Sequence, residues 1–130
     1  MIERYFRKDI KREIPIFEEN DLFSLKELRR GMVFNYKGYE ITIAEPTAKD
    51  TTPSLITFDL LSGKWIIVLN EDVPLSLVVP ILEHEVYEIE HKNHEKAVEI
   101  GRIKAEELGV LNNFLEFEYR WRDHNNNLKQ

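Results

Sequence analysis

The sequence predicts an α+β fold: an N-terminal helical portion, an antiparallel or mixed sheet of about four strands, and a long helical portion packed on one face. Three observations predict it. Two pairs of β-branched and aromatic runs flank short Gly-bearing turns, Lys37-Gly38 and Ser62-Gly63. From Leu75 to Leu108 apolar residues recur at intervals of three and four, the helical period. With 130 residues, 42% hydrophobic and 32% charged, the chain can bury one core and not two. A single domain over residues 1–123 is therefore expected, followed by a loose tail at 124–130 whose run of Asn has little to bury.

Taken in order, Tyr5, Phe6, Ile10 and Ile14 mark an amphipathic helix over Glu3 to Glu13, stopped before Pro15. Ser24-Leu25-Lys26-Glu27 has the form of a capping box, which predicts a short helix ended by Gly31. The first hairpin pairs Met32–Tyr36 with Tyr39–Ile43, and the second pairs Leu55–Leu60 with Lys64–Leu69. Polar residues Glu45 to Pro53 form the loop between them. Pro74 and Pro80 suit the entry and first turn of the long helix, which leaves Leu75 to Val78 as a separate turn. That helix either runs unbroken to Gly109 or bends around Lys92-Asn93, where Asn93 can cap a second helix. Beyond Gly109, Leu111, Phe114, Leu115 and Trp121 fit a helix capped by Asn113-x-x-Glu116.

Composition narrows the function. Twenty-four acids against eighteen Lys and Arg give a net charge of −6, which repels phosphate backbones, so nucleic acid is not expected as a partner. The small basic spots Arg29-Arg30 and Arg120-Trp121-Arg122 read as surface charge, and neither Gly-bearing turn matches a phosphate-binding loop. The N-terminus lacks the apolar stretch of a signal peptide and no run approaches a membrane span, so a soluble cytoplasmic protein with no membrane partner is expected. With no cysteine, thiolate chemistry is excluded and any metal must be held by His, Asp or Glu.

Three of the four histidines fall within eleven residues, in His84-Glu85-Val86-Tyr87-Glu88-Ile89-Glu90-His91-Lys92-Asn93-His94. On a straight helix His84, Glu88, His91 and Glu95 lie within an arc of about 60°, a polar stripe opposite the apolar one. His84 and Glu88, one turn apart, can bind the same ion. Glu85 points about 100° away, where it can reach water at the ion without binding it, the position of a general base. The ion, zinc or another divalent transition metal, would make hydroxide available near neutral pH and polarise a carbonyl, with Glu85 passing the proton to the leaving amine.

At these residues the chain resembles zincin metallopeptidases, above all the very small glutamate-zincin-like proteases, in the order hairpin sheet, Trp65–Asn70 segment, then helix with His84-Glu85-x-x-Glu88. The resemblance implies a zincin-like fold with Trp65 to Leu69 near the site, His84 as ligand, Glu85 as base, and a peptide or protein substrate held along a strand edge. The family has His-Glu-x-x-His, and Glu88 stands where its second histidine would be. A carboxylate there binds zinc but reduces the ion's Lewis acidity. For the third ligand, His94 with Ala97 resembles a His-x-x-Ala element that follows some His-Glu-x-x-Glu helices in small zincin-like proteins. A bend at Lys92-Asn93 would bring in His94, whereas a straight helix would present His91, whose Cα lies ~10.5 Å along the axis from that of His84. Glu99 and Glu106 are further candidates for the family's later glutamate.

Bland readings compete with this one. In a chain so rich in Glu and Lys an acidic helix face arises by composition, yet a face made for solubility would use Lys or Arg rather than three histidines at ligand spacing. Glu88-Ile89-Glu90-His91 also has the Glu-x-x-His form of di-iron bundles, which the predicted strands disfavour. The expectation is a zinc-dependent hydrolase, a minimal metallopeptidase. The alternative is a non-catalytic zincin-like metal-binding or protein-interaction module, in either case open to homodimer formation through the aromatic segment Phe114 to Trp121.

Overall fold

A computed structural model describes residues 13–45 and 53–119. The expected helix Glu3–Glu13, the loop residues 46–52, Arg120-Trp121-Arg122 and the tail 124–130 fall outside the described residues, Glu13 apart. The fold class is α+β. In chain order the elements are β1 (Ile16–Phe17), α1 (Glu19–Phe23), β2 (Val33–Tyr36), β3 (Tyr39–Ala44), β4 (Ser54–Asp59) and β5 (Lys64–Asn70). A 3-10 turn (Leu75–Leu77) leads into α2 (Val78–His91) and α3 (His94–Glu107), and a further helix, α4, covers residues 111–119.

Both predicted hairpins form. At the first turn Lys37 (φ 53°) and Gly38 (φ 88°) are both left-handed, the two-residue geometry whose twist matches the flanking strands. At the second, the Asp59 side chain organises the connection: it accepts the Leu61 N–H at 3.2 Å and the Ser62 hydroxyl at 2.7 Å. The hairpins join through parallel pairing of β3 with β5, so the sheet is mixed, in the order β1-β2-β3-β5-β4. β4 is thereby left at an edge.

Alternation places Phe34, Tyr36, Ile41, Ile43, Ile67 and Leu69 on one face, all at most 1% exposed. Against them α2 lays Val78, Val79, Ile81, Leu82 and Val86, also buried. Each such side chain contributes roughly 1.5–3 kcal/mol on burial. The N-terminal half of α2 is therefore firmly seated, while its last turn, from Tyr87 on, is half-buried or exposed. Among the described residues no helix is long and apolar enough to cross a membrane.

The structure corrects three local expectations. First, no helix follows Ser24; the short helix precedes it. Glu18 and Asp21 form the capping box, with Asp21 accepting the Glu18 N–H at 2.8 Å, and the Ser24 hydroxyl donates instead to the Asn20 carbonyl at the helix C-terminus. Second, a fifth strand, β1, pairs parallel to β2, held by the Asn35 N–H on the Pro15 carbonyl at 2.8 Å and by Phe17 stacked on Phe34 at 4.8 Å. Two residues are too few to show alternation. Third, Asn113-x-x-Glu116 is not a cap: the chain turns at Gly109 (φ 76°) and is already helical at residue 111, with the Phe114 N–H on the Val110 carbonyl at 2.9 Å.

Candidate metal centre

The long helical portion bends where Lys92-Asn93 allowed it to. Lys92 takes the left-handed conformation (φ 52°), and the Asn93 side chain accepts the Lys96 N–H at 3.0 Å, capping α3. The stripe expected of a straight helix is thereby broken, and His94 opens a new helix running back along α2.

Small residues bring the two helices close. Ala97, Gly101 and Ala105 lie one turn apart on α3, and all three are buried. A Cβ at Gly101 would stand 3.3 Å from the Pro80 carbonyl oxygen and from Phe114 Cζ, and 3.4 Å from His84 Cβ. A larger residue at this position would push α3 away at the level of His84.

The bend and close approach put His94 beside His84, their ring centroids 5.4 Å apart and inclined at 73°. Glu88 stands between them: its Oε1 lies 3.1 Å from His84 Nε2 and 3.2 Å from His94 Nδ1. One ligand atom from each of His84, Glu88 and His94 falls within 4.8 Å of the others. Tetrahedral zinc with bonds near 2.0–2.1 Å spaces its ligand atoms by about 3.3 Å, so this group fits such an ion with little movement. Two imidazoles and a carboxylate are also a donor set that suits zinc.

The bend brings His94, and not His91, to His84 and Glu88. His91 points elsewhere, its ring stacked on Tyr87 at 4.1 Å and its Nδ1 3.3 Å from the Tyr87 carbonyl oxygen. Glu95 and Glu106 are exposed, and Glu99 pairs with Lys96 at 3.1 Å; none of the three joins the group.

Glu85 adjoins the group from the inside. It is 6% exposed and the one buried charged residue among the described residues. Its Oε1 lies 3.9 Å from His84 Nε2, and its Oε2 accepts a hydrogen bond from the Ser54 hydroxyl at the start of β4. Burial pushes the Glu85 carboxyl above the ordinary carboxylate range; the Ser54 hydrogen bond and His84 oppose the rise, while Glu88 adds to it.

A cleft of about 560 Å³ opens over these residues, bounded by Ser54 and Ile56 of β4, Ile81 of α2, Val98 of α3, and Phe114 and Phe117 of α4. The bordering strand is β4, not the Trp65–Leu69 run, which lies one strand further in. Sequence reasoning missed Ser54, Gly101 and the two phenylalanines as site residues. Ser54 heads a strand after a polar stretch of sequence, and only the tertiary pairing brings it to Glu85.

The chain matches no protein-family model, no curated protein and no solved structure.

Proposed function

We propose that the protein is a zinc-dependent hydrolase, a minimal metallopeptidase in which His84, Glu88 and His94 hold the ion and Glu85 is the general base. One observation carries this reading: three potential ligand atoms from two helices converge beside Glu85, the one buried carboxylate among the described residues, in a cleft. Zinc bound there would supply Lewis acidity, lowering the pKa of water and polarising a carbonyl. Glu85 takes up the proton. Ser54 fixes one of its oxygens and leaves the other facing His84, on the side of the three candidate ligands.

The edge of β4 supports a peptide as substrate. The Asn70 N–H donates to the Pro53 carbonyl at 2.8 Å, and the antiparallel register places the remaining ladder bonds on Leu55, Thr57 and Asp59. Ser54, Ile56 and Phe58 therefore turn their backbone N–H and C=O to the open side, where no described strand pairs with them. An extended chain can add there by main-chain hydrogen bonds, with its carbonyl brought over the histidines.

A second reading is a zincin-like metal-binding or interaction module without catalysis, in which His84, Glu88 and His94 hold the ion and no peptide is cleaved. Zinc-loaded protein incubated with a casein digest and followed by mass spectrometry separates the two. New peptide termini that disappear with Glu85→Gln, zinc being retained, support the hydrolase. Zinc bound with no cleavage by the wild type leaves the module.

A further inference from the structure

We infer that the Phe58–Trp65 pair is a second recognition site on the same edge strand, taking a bulky apolar side chain of an extended peptide about four residues from the residue seated at the metal group. The inference rests on the reading that the β4 edge receives an extended peptide. Phe58 and Trp65 are directly paired across β4 and β5, with rings edge to face at 5.0 Å. They stand on the helix-covered face of the sheet, because Trp65 shares its side with Ile67 and Leu69, which are fully buried. Yet they project beyond the helices, 43% and 39% exposed. Leu60 and Leu61 extend the apolar surface at the hairpin tip, 86% and 90% exposed.

The pair is continuous with the cleft. Along β4 the same face carries Ser54, bonded to Glu85, then Ile56, which lines the cleft, then Phe58. At about 3.3 Å per residue, Ser54 and Phe58 are roughly 13 Å apart. These three residues are also the ones with outward backbone groups, so the strip that would hold a peptide's main chain ends at the aromatic pair. A peptide paired in register shares the period of two. A side chain four residues from the one over the cleft therefore returns to the same face and meets the two rings. Edge-to-face aromatics and two leucines suit an aromatic or large aliphatic side chain and leave a carboxylate without a partner.

The test uses the full chain with Glu85→Gln, zinc-loaded, and three fluorescein-labelled decapeptides of alanine and threonine with two variable positions four apart: Phe and Phe, Phe and Asp, Asp and Phe. By fluorescence anisotropy the Phe/Phe peptide is expected to bind about ten-fold tighter than either mixed peptide. Phe58→Ser with Trp65→Ser should abolish that advantage with circular dichroism unchanged. Equal binding of the three peptides, or an advantage that survives the double substitution, overturns the inference. So does a dimer, seen by sedimentation and dissociated by the double substitution, that binds no peptide. Hydrolysis of the Phe/Phe peptide by the zinc-loaded wild type is read separately. Its absence, with the binding preference intact, counts against the peptidase and supports the site; cleavage without preference does the reverse.

Discussion

Glu85→Gln in the metal-free protein is expected to raise stability at pH 7.5 and to leave it nearly unchanged near pH 4. Burial raises the Glu85 carboxyl above its ordinary range, with Ser54 and His84 only partly opposing the shift. The charged form is thus less favourable in the folded chain than in the unfolded one. Below the unfolded pKa both states hold the proton and there is no penalty. As pH rises through the unfolded value toward the raised folded one, the unfolded chain releases its proton first and stability falls. An amide of the same shape still accepts the Ser54 hydroxyl and carries no charge, so it escapes that loss. The cost of a buried polar group with incomplete partners is about 1–3 kcal/mol. Set against the surviving hydrogen bond, this gives a gain of roughly 1–2 kcal/mol, or about 5 °C in a chain of this length. Urea midpoints of both proteins in chelator, measured from pH 4 to pH 8, provide the assay. Parallel curves, or a Gln variant less stable at pH 7.5, would refute the claim that Glu85 is held at the expense of stability.

Other expectations concern how the group is assembled. His94→Ala should weaken zinc binding by more than the roughly 10–100-fold that loss of a ligand's hydrogen-bond partner costs, read in a chelator competition, whereas His91→Ala, whose ring lies on Tyr87, should leave it unchanged. Asn93→Ala removes the cap of α3 and should cost about 1 kcal/mol in denaturant melts, with weaker zinc binding because His94 is the first residue of that helix. Gly101→Val presses on the Pro80 carbonyl, a backbone atom of the packed helix, and should destabilise by about 1–3 kcal/mol while displacing His84. Unchanged stability and zinc affinity in that variant would show that the helices can separate freely.

The legible parts of this chain are those encoded locally. Lys37-Gly38 announces its turn because few residues accept two consecutive positive φ angles. Val78 to His91 announces itself through apolar spacing with Pro80 in its first turn. The pairing of His84 with Glu88 follows from one turn of that helix. His94 was visible only as one branch of an alternative, because an apolar period of 3.6 continues across Lys92-Asn93 whether or not the helix breaks. What decides it is Lys92 in a left-handed conformation that its side chain does not advertise. The Ser24-x-x-Glu27 pattern misleads because Glu18 and Asp21 open a helix over Glu19–Phe23, leaving Ser24 to cap its end. Ser54 and the parallel join of β3 to β5 depend on pairing between distant segments, which no local pattern carries.

The most direct test of the account is the zinc content of tag-free protein by elemental analysis, beside His84→Ala and His94→Ala. About one zinc per chain in the wild type, lost in both variants, is the predicted result. No zinc after supplementation, or equal zinc in all three proteins, would contradict it and leave His84, Glu88 and His94 as a hydrogen-bonded surface group.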